Sequence, residues 1–334
     1  MVGCGAMSRA WLEAAAQIKQ LSVVGLVDIQ EQAAVALRDE FKLEQALTGV
    51  DLRAMLKGLK PDAIFDCSIP EAHHANALVA FDHGVHVLGE KPLAHTMNAA
   101  LEMVEAARAV GCVHAVIQNR RYDPNIRRVR RYLESGVLGT LTGINADFYI
   151  GAHFGGFRDA MDHVLLLDMA IHTFDAARLI TGADPVSVYC HEWNPIGSWY
   201  AHGANANCIF EMTGGIIFNY RGSWCSEGLH TAWESDWRAI GTHGSLRWDG
   251  GEQPRASVVQ KNGAFFSKCH ELEVPGLDPR DKIGGHAGLI GDFIDCLLSK
   301  RIPETISSDN IMSLAMVFAA IESAKTGAKV AVRA

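Results

Sequence analysis

Gly3-Cys4-Gly5-Ala6-Met7-Ser8, running into the apolar stretch Trp11-Leu12, is the segment on which the fold turns. It fits G-x-G-x-x-(small). The first glycine permits a tight turn, the second lets backbone approach a pyrophosphate, and the small third residue lets helix and strand pack. Backbone amides of Gly3, Gly5, Ala6 and Met7 would then face the phosphates at a helix N-terminus. Asp28 closes the next β-rich run, Leu21 to Val27, where a carboxylate can accept hydrogen bonds from an adenosine ribose. The same carboxylate would repel a 2′-phosphate, so NAD is expected rather than NADP. Only Met1 and Val2 precede Gly3, so the strand that should feed the turn is almost missing, and a truncated first strand is expected.

Outward from this turn the first ~120 residues alternate strand and helix patterns, at the usual domain size. Helix from about Gln30 to Phe41 is followed by strand Ala63–Cys67, helix Glu71–His83, strand Val85–Leu88, helix Thr96–Val110 and strand His114–Gln118. That rhythm implies a doubly wound parallel sheet with helices on both faces. A helix from Pro124 to Ser135 leads out of it. Beyond about residue 140, β-type runs follow one another: Leu141–Ile150, Val186–His191, Ala206–Met212, Ile216–Tyr220, Asp236–Ile240 and Ser257–Val259. They imply an open, mostly antiparallel sheet with one inserted helix, Val164–Thr181. Two late helices, His286–Ser299 and Asp309–Lys325, close the chain. The expected division is 1–120 for nucleotide and 121–334 for substrate and oligomerisation, with the last helices able to pack back on the first domain.

The 334 residues carry 49% apolar and 20% charged side chains with a formal charge of −8, which disfavours nucleic acid and anionic membrane as partners. The one basic cluster, Arg120-Arg121 with Arg127-Arg128 and Arg130-Arg131, is expected on a solvated helix face. No apolar run reaches membrane-spanning length. Eight scattered cysteines without C-x-x-C or His pairing suggest free thiols in a cytoplasmic, reducing compartment, and no metal site is expected.

The chemistry concentrates in two places. Glu90-Lys91-Pro92 ends the apolar run Val85 to Gly89, at the strand end where ligands of such sheets sit. Asp168, His172 and Asp175 fall at i, i+4 and i+7 on an otherwise apolar helix. Burying such groups costs free energy unless they are paired or used. A neutral imidazole can take the proton of an alcohol losing hydride, while an ammonium polarises its oxygen. Ser68-Ile69-Pro70 and His74 are expected along the nicotinamide side, with His73 the ordinary surface histidine.

Gly3-x-Gly5, Ser68-Ile69-Pro70 with His74, Gly84 through Ala94 around Glu90-Lys91-Pro92, Asn119-Arg120-Arg121-Tyr122-Asp123-Pro124 and Asp168-x-x-x-His172-x-x-Asp175 together resemble the Gfo/Idh/MocA oxidoreductases. The resemblance implies a Rossmann domain, a second domain on an open antiparallel sheet, NAD(P), and sugar or cyclitol substrates. It further implies Lys91, Asp168 and His172 as the catalytic group, with Glu90 and Asn119 near the cofactor. Two positions depart from the family pattern: Ser8 replaces glycine or alanine, and Asp162-His163-Val164 stands where glycines are usual.

On the substrate side the second domain is rich in Trp and His. Aromatic faces can stack on sugar C–H faces, so Arg121, Tyr122, His153 and Trp193 join Lys91, Asp168 and His172 as candidate substrate contacts. The main expectation is an NAD-dependent dehydrogenase of a sugar or cyclitol secondary alcohol, associating through its open sheet as a homodimer or homotetramer. The alternatives are an NAD-dependent glycoside hydrolase that recycles bound NAD, and a non-catalytic nucleotide-sensing regulator.

Overall fold

The computed structural model describes residues 1–263 and 265–334. They form two compact units, one of residues 1–122, 284–311 and 334, the other of 123–283 and 312–333.

The first unit runs α1 (Ala6–Ala15), β1 (Gly25–Val27), α2 (Glu31–Glu40), β2 (Leu47–Gly49), α3 (Leu52–Leu59), β3 (Ala63–Asp66), α4 (Pro70–Asp82), β4 (His86–Gly89), α5 (Met97–Val110) and β5 (His114–Val116), then a 3₁₀ turn, Asn119–Tyr122. β2 pairs with β1, and β3, β4 and β5 pair in that order, all parallel. Val2 bridges both sets, pairing with Val27 on one side and Asp66 on the other. Backbone bonds Val2 N to Phe65 O and Gly3 N to Val27 O, both 2.8 Å, make these few residues the central strand of a six-membered order. Trp11, Phe65, Leu88, Ile117 and Tyr122 form the core on one face, while Leu12, Leu26, Ala34 and Leu37 pack on the other.

The second unit contributes α6 (Pro124–Glu134), β6 (Leu141–Tyr149), the helix that ends as α7 (Ile171–Thr181), β7 (Pro185–Trp193), β8 (Asn205–Met212), β9 (Ile217–Ser223), β10 (Asp236–Gly241), β11 (Gly244–Trp248), β12 (Arg255–Lys261) and β13 (Lys268–Glu273). After α8 (Gly285–Ser299), which belongs to the first unit, and α9 (Ser307–Thr326), β14 (Val330–Ala331) completes a sheet ordered β13-β12-β11-β10-β6-β9-β8-β7-β14. Every pairing is antiparallel except β6 with β9. Phe174 of α7 sits edge-on to Phe210 at 4.9 Å and Tyr220 at 5.2 Å, which fixes the helix to one sheet face. The opposite face exposes Tyr189, Ile209, Ile217 and Ile240.

The arginine cluster is not a solvated face. Arg120, Arg121, Arg127 and Arg128 are all buried. In the second unit Arg128 donates to the Val274 carbonyl at 2.8 Å and the Pro275 carbonyl at 2.9 Å, so this cation clamps the backbone that follows β13. No described helix is long and apolar enough to cross a membrane.

Candidate active site

In the first unit the expected cofactor residues follow the carboxyl ends of adjacent parallel strands: Gly3 after Val2, Asp28 after β1, Ser68 after β3, Glu90 and Lys91 after β4, and Asn119 after β5. The strand order reverses at Val2, and ligands of open α/β sheets bind at such a switch point. Gly3 has φ +78°, and a Cβ there would stand 2.6 Å from the Ser68 nitrogen and 2.7 Å from the Cys67 carbonyl carbon. A Cβ on Gly5 would meet no protein atom within 4 Å. Gly5, Ala6 and Met7 are exposed, and no side chain caps α1, so its first amides are available to an anion. The geometry therefore fits a dinucleotide pyrophosphate. Ser8 is buried and donates to the Gly5 carbonyl at 2.5 Å, which accommodates its hydroxyl where glycine or alanine is usual.

Asp28 braces the turn as well as flanking it: its carboxylate accepts from the Cys4 amide at 2.8 Å and the Gln30 amide at 2.9 Å. Burial, and then the Asp28 charge, push the Cys4 thiol up to about 11. Asp66 fixes the next loop, accepting from the Ser68 hydroxyl at 2.5 Å and from Asn76 at 3.1 Å. Ile69 is 63% exposed and Pro70 opens α4.

Two of the expected cofactor contacts change. His74 does not follow the loop; its Nε2 lies 2.8 Å from Glu102 and joins α4 to α5. The buried neighbour His73 lies instead within 3.1 Å of the Ser68 carbonyl and 3.0 Å of the Pro92 carbonyl, linking the two loops. Glu90 likewise turns inward. One oxygen accepts from the Trp11 indole at 2.7 Å and the other from the Lys91 amide at 3.0 Å, so it positions Lys91 rather than facing a ligand. Lys91 is half-buried at the strand end, before a cis Pro92. The Asn119 amide lies 3.4 Å from His286 of α8, a residue that sequence reasoning missed. Burial lowers the His286 pKa, against the pull of Glu90.

Arg121 and Tyr122, expected to touch substrate, are also corrected. Arg121 pairs with Asp309 at 2.8 Å and donates to the Glu304 carbonyl, and the Tyr122 hydroxyl donates to Asp292 at 2.7 Å. Both are nearly inaccessible, because the 3₁₀ turn carries them into the core under α8.

In the second unit the inserted helix opens as a π-helical turn, Leu165–Ala170, and continues as α7. π turns are rare and recur at functional sites. From Val164 to Ile180 every residue is buried except Leu167, Asp168 and His172, so the acid and the imidazole share one open strip. Asp175, about 60° short of a full turn beyond His172, faces inward instead. It accepts from Ser313 of α9 at 2.7 Å, and Arg178 joins Ser313 at 3.1 Å and Asp184 at 3.0 Å.

Asp168 is held by a residue the sequence did not single out. Arg158 donates through Nε at 2.8 Å to one carboxylate oxygen and through Nη2 at 3.4 Å to the other. Its guanidinium carbon stands 5.0 Å from the Phe154 ring centroid and 4.8 Å from that of Phe157. The only sequence signal was an arginine after Gly155-Gly156 in the loop before Asp168. His153 stacks on Trp199 at 3.7 Å and pairs with Glu227 at 2.8 Å. His163 pairs with Glu192 at 2.5 Å and His202 with Asp162 at 3.2 Å. Trp193 stacks on His191 at 5.5 Å, at the end of β7.

Residues 1–118 match an oxidoreductase family with an NAD-binding Rossmann fold, and residues 126–247 match the Gfo/Idh/MocA C-terminal domain. The chain belongs to the Gfo/Idh/MocA oxidoreductases. Among Gfo/Idh/MocA relatives, the 1,5-anhydro-D-fructose reductase of Ensifer adhaerens is 24% identical over 98% of this chain and 96% of its own. The D-glucoside 3-dehydrogenase of Escherichia coli is 32% identical over 53% of this chain and 52% of its own. An Agrobacterium radiobacter oxidoreductase, solved with NAD+, L-tartaric acid and magnesium, has a TM-score of 0.85 at 21% identity, covering 99% of this chain and 97% of that one. This Gfo/Idh/MocA chain is thus an oxidoreductase with a Rossmann-type first domain and a mostly antiparallel second one.

Proposed function

We propose that the protein is an NAD-dependent dehydrogenase that transfers hydride between a secondary alcohol of a sugar or cyclitol and nicotinamide. The observation that carries this reading is the open Asp168–His172 strip on an otherwise buried helix, in a chain whose first unit holds a dinucleotide turn at its strand switch point. Relatives named as acting on anhydrofructose, glucosides and inositols support the substrate class. Bound NAD supplies a hydride acceptor. His172 takes the hydroxyl proton, Lys91 holds the substrate oxygen, and Asp168 orients the imidazole and substrate. His153 and Trp193 are proposed as outer contacts to the sugar.

The charge pattern supports a neutral substrate. His153, Arg158, His163 and His202 each face a carboxylate. Those four pairs together are neutral with every imidazole protonated and negative otherwise, so they offer nothing to a phosphate or a uronate. NAD over NADP is favoured by Asp28, and by the absence of a cation in the Ile29-Gln30-Glu31 stretch that follows it. Free cysteines favour a reducing, cytoplasmic setting. The apolar residues on the open sheet face favour a homodimer or homotetramer, and a monomeric mass by light scattering at micromolar concentration would exclude it.

The deciding experiment is a panel of neutral sugars, glycosides and inositols, followed by absorbance of the reduced nucleotide with NAD and with NADP. Turnover with NAD is expected. Free sugar released from glycosides without net NADH would favour the glycosidase reading, and no turnover on any member would remove the dehydrogenase one.

A further inference from the structure

We propose that Arg158 is a positioning residue for the reaction, clamping the Asp168 carboxylate beside His172 and anchoring the 151–163 segment to the catalytic helix. The inference rests on the functional reading above and adds a residue to it. Three observations carry it.

The pairing is side-on, with Nε and Nη2 of one guanidinium edge directed at the two oxygens of Asp168. That two-point contact fixes the plane of the carboxylate, which a lysine ammonium cannot do. The arginine is itself held, since its guanidinium lies over the Phe154 and Phe157 rings, and Phe154 packs in turn at 5.5 Å from buried Trp224. Such cation–π contacts add to an ion pair without competing for its hydrogen bonds. Finally, Arg158 ties the middle of the segment to the helix, while its end is joined there by the Leu167 amide on the His163 carbonyl. Other bonds of the segment run to the 199–202 loop, from Trp199 and Tyr200 to the Ala152 carbonyl and from the Ala201 amide to the Asp159 carbonyl, and to Glu227, His230 and Glu192.

Asp168 is half-buried. Its charge helps raise the pKa of the Tyr200 hydroxyl, after burial, and His172 stands on the same helix strip. The Arg158 fork holds both oxygens of the Asp168 carboxylate in a fixed plane.

The test compares wild type with Arg158→Ala and Arg158→Lys. The Asp168 carboxyl, followed by ¹³C NMR without substrate and assigned against Asp168→Asn, should titrate about 1–3 units higher in Arg158→Ala, as expected on losing an adjacent guanidinium. The acidic limb of kcat/KM should move the same way. Added guanidinium should restore part of the lost kcat in Arg158→Ala, with NAD affinity unchanged throughout. Arg158→Lys should keep most of the titration but lose kcat, since it keeps charge without the fork. An unshifted Asp168 titration in folded Arg158→Ala, or equal kcat in all three proteins, would overturn the proposal. The NMR arm needs no turnover. A shifted titration in a protein that oxidises no polyol would therefore count against the dehydrogenase reading and leave the clamp standing.

Discussion

The strand ends of the first unit and the helix strip of the second hold their polar groups by different means. In the first, backbone does the holding: Gly3 adopts a conformation only glycine takes easily, Asp28 accepts two amides, and Glu90 accepts the Lys91 amide. In the second, side chains hold side chains, as with Arg158 on Asp168, Ser313 on Asp175 and His163 on Glu192. Of the backbone-held groups, Gly3 tolerates no added Cβ. Side-chain pairs join distant positions, and their charge state matters more than their backbone.

The largest expected effect tests whether the second strip is chemical at all. His172→Ala should lower kcat by roughly 10²–10⁴, the range for a positioned general base, and Lys91→Ala should remove most turnover, both with NAD affinity nearly intact. If His172→Ala keeps wild-type kcat, the strip is structural and the contrast between the units collapses to one of packing.

Next comes a pair inside the glycine turn. Gly3→Ala should destabilise the protein by about 1–3 kcal/mol, because its Cβ collides with fixed backbone at Cys67 and Ser68. Gly5→Ala should shift stability by no more than about 0.5 kcal/mol while weakening NAD binding. Melting curves with and without NAD separate the two, and equal melting temperatures would undo the backbone-held account of this unit.

Ser313→Ala sharpens the division within the polar stripe. Removing a buried donor to Asp175 should cost about 1–3 kcal/mol of stability at unchanged kcat. A kcat that falls with stability intact would move Asp175 into the chemistry.

The smallest effect is a pH slope. His114 is fully buried, and desolvation pushes its pKa down to about 3. The unfolded chain therefore binds a proton that the folded one refuses. His114 contributes its stability above the unfolded value near 6.5, and that contribution is lost as pH falls toward 3, at up to about 1.4 kcal/mol per pH unit. Urea unfolding at pH 7 and pH 5 should show the loss, and His114→Phe, beside Phe81, should flatten it.

Much of the first unit was readable because parallel sheets leave strong local marks. The strands before Cys67, Glu90 and Asn119 are apolar runs, and the glycine turn has a fixed spacing. β2 was missed because Leu47 is exposed and Thr48 and Gly49 are only half-buried, leaving no apolar run; α3 was missed although Leu52, Met55, Leu56 and Leu59 recur at helical spacing behind the Asp51 cap. β13 was missed for the same reason as β2, since Lys268-Cys269-His270-Glu271-Leu272-Glu273 buries almost nothing. The helix carrying Asp168 and His172 was found, but grouping Asp175 with them overlooked the 60° that separates it from His172, and it turns inward to meet Ser313.

By itself the sequence determined the alternation of strands and helices in the first unit and the run of strands in the second, the turn fit for a dinucleotide, and the candidate trio Lys91, Asp168 and His172. Those follow from periodicity, glycine conformation and the cost of burying charge, all local to the chain. Only the tertiary structure decided that His73 rather than His74 links the loops, that Glu90, Arg121 and Tyr122 are internal ties, and that Arg158 grips Asp168. A side chain's type states which bonds it can make. Which partner reaches it depends on elements far along the chain folding against it, and no local pattern carries that information.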